Sequence, residues 1–195
     1  MDSEKLNLLY DHYKDTFSLI TAQNKLRDKL FIYLLIAITF MFLQINAVEQ
    51  INDIGIKLAE KFLGVSLSLS PEFIGGMFWF VTLSLVIKYA QTLVSIEKQY
   101  DYIHKLESKI DNEYGDTKIF SREGHSYLDN YPKFSSWVWI LYTMIFPAIL
   151  LIVLGYKIYT EYNGVFTTPF IINGTFCAMA YISIILYLLL IHFKK

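Results

Sequence analysis

The chain has 195 residues, of which 54% are hydrophobic, 17% aromatic and only 18% charged. A soluble globular domain is roughly 45–50% apolar and about 25% charged, so the excess here calls for an apolar solvent and not a larger core. The formal net charge of −1 supplies no basic face for nucleic acid, and the single cysteine, Cys177, excludes an intrachain disulfide, a Cys-type zinc site and a CxxC redox pair.

Residues 1–29 are expected to form a cytoplasmic amphipathic helix. Leu6, Tyr10, Tyr13, Phe17 and Ile20 follow a 4-3-4-3 spacing, a seam about two heptads long, before the stripe turns polar at Asn24 and Arg27. A stripe this short needs a packing partner. The opening MDSEKLNLLYDHYKD lacks the basic-then-apolar order of a signal peptide, so the first span is expected to be a retained signal anchor. A basic cluster, Lys25, Arg27 and Lys29, runs straight into that span, 30–48. At ~1.5 Å per residue it only just crosses a ~30 Å hydrocarbon layer, and Gln44 and Asn46 mark its far end.

The outer connection, 49–72, holds INDIGIKLAEKFL, a short amphipathic helix that Gly64 should close. Ser70-Pro71-Glu72 then reads as a helix start, with a serine cap, proline at the first position and an acid in the first turn. The second span, 73–95, carries Gly75 and Gly76 as close-packing residues. No breaker separates it from the cytoplasmic helix and loop of 96–134. There Ile96, Tyr100, Ile103 and Ile110 keep a near-heptad rhythm, the partner that the N-terminal stripe requires. Trp137 and Trp139 anchor the third span, 136–155, and Pro147 should kink it. An outer turn, 156–168, leads to a Thr168-Pro169 helix start and the fourth span, 169–193, with Gly174 and Ala178 spaced as small-xxx-small. The fold class is therefore all-α: a polytopic membrane protein of four transmembrane helices with a cytoplasmic antiparallel helical stalk.

Thirteen Lys and Arg fall in the two terminal segments and the central connection, against three, Lys57, Lys61 and Lys157, in the other two connections. The positive-inside rule places both termini and the central connection of this multi-pass protein in the cytoplasm.

The candidate functional residues are few. Lys88 is a charge within an apolar run and reads either as a pore or partner contact or as a snorkelling lysine near the interface. Arg122 and His125 sit in the polar loop as a possible pore or partner contact or as a solvated connector. His125 has no second His at i+3 or i+4, so no metal is implied. Asn173-Gly174-Thr175 spells a glycosylation sequon but lies within the fourth span and is discounted. No catalytic constellation and no cofactor motif is present, so the expected protein is not an enzyme.

A cytoplasmic helix fused to the first span, and a second span running out into a cytoplasmic helix, resembles the SLATT and related four-span effector families of bacterial conflict systems. The likeness covers residues 1–115 as architecture and the four-span count as a whole; the long outer connection is a departure from it. The resemblance implies an oligomeric membrane-perturbing effector in antiviral defence, with the lipid bilayer and further copies of itself as partners. Two alternatives stay open: a membrane anchor or sensor subunit that docks a cytoplasmic protein, and a small channel or transporter.

Overall fold

The computed structural model describes residues 3–64, 70–113 and 133–192. Every element among them is helical: α1 (Ser3–Asn46), α2 (Val48–Leu63), α3 (Pro71–Glu113), α4 (Lys133–Ile140), a π-turn (Leu141–Ile145), α5 (Phe146–Glu161) and α6 (Thr168–His192). Four helical stretches are long and apolar enough to cross a membrane: Leu6–Asn46, Pro71–Ile110, Trp137–Glu161 and Thr168–Leu190. Only 28% to 39% of their most apolar windows is buried within the chain, so the remaining apolar faces require lipid. The protein is an all-α, polytopic integral membrane protein.

The chain divides into two compact units. The first comprises residues 1–28 and 91–144. Its core gathers Tyr13 and Ile20 from α1 with Ile103 and Ile110 from α3, and Leu6 and Leu9 pack against them. Ile96 and Leu106 are buried as well. Three residues expected in this seam lie outside it: Tyr10, Phe17 and Tyr100 are 57%, 39% and 40% exposed. The inward stripe of α1 runs Leu6, Leu9, Tyr13, Thr16, Ile20, a 3-4-3-4 spacing and not 4-3-4-3. Thr16 is half-buried at the edge of this stripe, and its hydroxyl is satisfied by donating to the His12 carbonyl at 2.7 Å. A buried Tyr10 hydroxyl would need a partner of its own, and Leu9 needs none. In this unit Trp139 Nε1 donates to Glu97 Oε1 at 3.2 Å, and the Arg27 guanidinium lies 4.9 Å from the Tyr142 ring centroid.

The second unit comprises residues 29–90 and 145–195. Here α1 buries Leu30, Leu34, Ile38 and Met41, and α3 buries Ile74, Trp79, Leu83 and Val86. Leu150 and Leu154 of α5, and Cys177, Ala180, Ile184 and Tyr187 of α6, complete the core. Phe31 and Tyr89 both pack edge-on against Phe146, with ring centroids 4.6 and 5.6 Å away. Pro147 removes one backbone donor, and a π-turn ends two residues before it, a local adjustment by which a membrane helix re-satisfies freed backbone groups.

The helix ends follow local chemistry. Gly64 closes α2 in the left-handed conformation, φ 67°, which costs glycine nothing. Ser70 caps α3, its Oγ accepting from Phe73 N at 3.3 Å. The α6 cap is Thr167, one residue before the expected Thr168: Phe170 N donates to Thr167 Oγ1 at 3.4 Å.

The small residues divide. Gly75 is buried, and a Cβ there would lie 3.0 Å from Gln44 Nε2, so α1 and α3 meet closely at this point. Gly76 is half-buried beside Asn173. Gly174 and Ala178 point away from the bundle: a Cβ on Gly174 would meet nothing within 4 Å among the described residues, and Ala178 is exposed. The close contact between α5 and α6 is made instead at Gly155, which leaves room for the Tyr181 hydroxyl to donate to the Leu151 carbonyl.

Candidate functional site

The helix carrying the third span does not stop at Leu154. It continues for two more turns to Glu161, through a stretch expected to be an outer turn. Leu150, Leu154, Lys157 and Glu161 share one face by their i,i+4 and i,i+3 spacing, so the core stripe of α5 ends in two opposite charges. Lys157, expected in a solvated turn, is only 4% exposed. Its Nζ lies 2.9 Å from Glu161 Oε1, with the two side chains 5% and 17% exposed.

A carboxylate this far from water needs donors on both oxygens. Trp79 Nε1, from α3, reaches Oε1 at 3.0 Å and Oε2 at 3.2 Å. Asn173 Nδ2, from α6, donates to Oε2 at 3.0 Å. Glu161 thus ties three helices of the second unit together, and the indole, 1% exposed, is among the largest fully buried side chains.

Beside this cluster lies a cavity of 530 Å³. Its polar wall is built from Gln44, Glu72, Lys157, Glu161, Asn163, Thr167 and Asn173, and its apolar wall from Val48, Pro71, Pro169 and Phe170. These residues come from the end of α1, the start of α2 and α3, the end of α5 and the start of α6, so the cavity opens at one end of the bundle. Two buried acceptors in its wall, Gln44 Oε1 and Asn173 Oδ1, have no hydrogen-bond partner among the described residues. Lys157 and Glu161 neutralise each other, which leaves the Glu72 carboxylate as the surplus charge of the lining. The arrangement is suited to holding a group that brings positive charge and hydrogen-bond donors.

None of these residues was singled out by sequence reasoning. Gln44 reads as an end-of-span marker, Lys157 as a loop charge and Asn173 as part of a discounted sequon. The available signal was the continuation of the α5 stripe past Gly155 into an i,i+4 charge pair, together with an asparagine early in the fourth span. The residues that were singled out lie elsewhere. Lys88 is exposed on α3, off the buried face of Leu83, Val86 and Tyr89. Arg122 and His125 lie outside the described residues. Among the described residues no group of three His, Cys, Asp or Glu is placed to hold a metal ion. Comparison of the chain with protein-family models, with curated proteins and with solved structures finds no match.

Proposed function

We propose that this integral membrane protein is a non-enzymatic, oligomeric membrane-perturbing effector of a bacterial defence-type system. The observation that supports this reading is where the small and the apolar residues lie. The middle of the second unit is filled largely by apolar side chains, Leu34, Met41, Leu83, Val86, Leu150 and Ile184. Gly174 and Ala178 face away from that core, where small side chains let another helix approach closely. Perturbation of the bilayer is then a property of several copies together.

The test is induction of the gene with its genomic neighbours while membrane potential is followed with a dye. The wild type depolarises cells. Gly174→Leu with Ala178→Leu leaves the thermal unfolding of the purified protein unchanged but lowers depolarisation about tenfold or more, the effect of ~1.4 kcal/mol at one helix contact. Absence of depolarisation with the wild type under every inducing condition removes the reading.

The bacterial inner membrane, with both termini cytoplasmic, is the orientation that fits. The burial of Lys157 against Glu161 takes it out of the loop count, leaving exposed Lys57 and Lys61 on the opposite side. In a Cys177→Ala background, Lys57→Cys is expected to react with an impermeant thiol reagent from outside the cell, and Lys118→Cys is not. The reverse pattern inverts the topology.

The alternative reading is a membrane anchor or sensor subunit that docks a cytoplasmic protein. Exposed Tyr10, Phe17, Tyr100 and Tyr102 on the helices of the first unit favour it. Partner capture by the full chain without any depolarisation is the result that selects it.

A further inference from the structure

We propose that the end of the bundle carrying Lys157 and Glu161 binds a phospholipid with a primary-ammonium headgroup. The ammonium sits in the polar cavity, and one acyl chain lies in an adjoining apolar groove. This site is formed by one copy of the chain and stands whether or not copies associate.

The groove is a second cavity, of 570 Å³, that shares Glu72, Pro169 and Asn173 with the first. Beyond this common wall it runs between α3 and α6 over Phe73, Met77, Phe80, Ile172 and Phe176. A polar chamber and an apolar channel joined through one wall match the two halves of an amphiphile. Their depth fits too. The polar chamber is built from helix ends, which lie at headgroup level when the helices span the bilayer, and the groove follows the helices inward.

The chemistry of the wall selects the headgroup. The wall groups that lack partners among the described residues, Gln44 Oε1 and Asn173 Oδ1, are acceptors, so a fitting occupant donates. Both residues are more than nine-tenths buried, at 8% and 5% exposure, so an unmet acceptor there carries a desolvation penalty that a donor would remove. Their amides pack against consecutive glycines: a Cβ would stand 3.0 Å from the Gln44 amide at Gly75 and 3.6 Å from Asn173 Oδ1 at Gly76. A turn of the Gln44 amide about its soft terminal torsion gives up only the long 3.5 Å contact of its Nε2 with the Pro71 carbonyl and presents its oxygen to the chamber, while Asn173 keeps its Nδ2 on Glu161. The surplus charge, Glu72 on the shared wall, is negative, and the cation, Lys157, is already held by Glu161. A primary ammonium supplies three N–H donors and the complementary charge. A trimethylammonium headgroup supplies the charge without the donors, and an anionic headgroup reverses the sign.

The experiment uses the full chain, delipidated in detergent and titrated by native mass spectrometry with phosphatidylethanolamine, phosphatidylcholine, phosphatidylglycerol and free ethanolamine. The expected result is a preference for phosphatidylethanolamine over phosphatidylcholine of about tenfold or more, the scale of one hydrogen bond to a charged group. Free ethanolamine binds much more weakly than the lipid. Glu72→Gln, at an exposed position outside the Glu161 cluster, removes that preference while the thermal unfolding of the protein is unchanged; Gln44→Met lowers it independently. Equal binding of the two zwitterionic lipids, stronger binding of phosphatidylglycerol, or full selectivity in both variants overturns the proposal. Ethanolamine binding as tight as the lipid's overturns the lipid assignment and gives the chamber to free amines.

Discussion

Glu161→Gln is expected to destabilise the second unit by about 3–5 kcal/mol, the usual cost of removing one partner from a buried ion pair. The substitution keeps the size of the side chain and changes three contacts at once. Lys157, 4% exposed, loses the counter-charge 2.9 Å from its Nζ. Trp79 Nε1 and Asn173 Nδ2 lose a charged acceptor and face an amide that cannot accept from all three donors with both of its terminal atoms. Lys157→Met together with Glu161→Gln should recover most of the loss, because an apolar residue in place of the lysine leaves no charge stranded. Trp79→Phe is milder, about 1–3 kcal/mol, since it removes one donor to a charged group and little volume. Reversible unfolding in mixed micelles measures all three. A loss below about 1 kcal/mol for Glu161→Gln, or a double variant no more stable than the single, would show that the pair does not hold the bundle end together.

What the sequence made legible depended on how many residues shared each signal. The four apolar helices stand out because each is carried by a long run of hydrocarbon side chains, and no single misplaced residue hides such a run. The end of the third span was obscured because two glycines and three tyrosines fall between Leu154 and Pro169, a composition that reads as an interfacial turn. In the structure Gly155 is where the Tyr181 hydroxyl meets the Leu151 carbonyl, so the glycine marks a close helix contact inside a continuing helix. Lys157 was hidden by the same reading: a lone lysine past an apolar run looks solvated, and only the tertiary positions of Trp79 and Asn173 make its burial with Glu161 tolerable. Gly174 and Ala178 show the converse. Their spacing signals a helix contact without saying which helix, and the fold of one copy leaves them facing outward.

The α1 seam gives the second large effect. Ile20→Asp is expected to cost about 3–5 kcal/mol in the first unit, and Phe17→Asp about 1 kcal/mol or less. Both substitutions put the same charge on the same helix three residues apart, and a 4-3-4-3 seam predicts that both are severe. The structure separates them. Ile20 is 2% exposed and belongs to the cluster with Tyr13, Ile103 and Ile110, so an aspartate there enters an aliphatic core with no cation among its members. Phe17 is 39% exposed, and the contact it gives up is a stacked arrangement with Tyr13, ring centroids 6.4 Å apart, worth about 0.5–1.5 kcal/mol. Amide hydrogen exchange of the full chain in nanodiscs resolves the two cases. Ile20→Asp should speed exchange across the α1 amides of the first unit by about a hundredfold to a few thousandfold, and Phe17→Asp by less than about tenfold. Thr16→Leu adds a check on phase. Thr16 lies on the inward stripe, and its hydroxyl is already satisfied by the His12 carbonyl, so an aliphatic side chain there should slow exchange if the stripe runs through Leu9 and Thr16. Equal acceleration by the two aspartates, or no protection from Thr16→Leu, would return the seam to Tyr10 and Phe17.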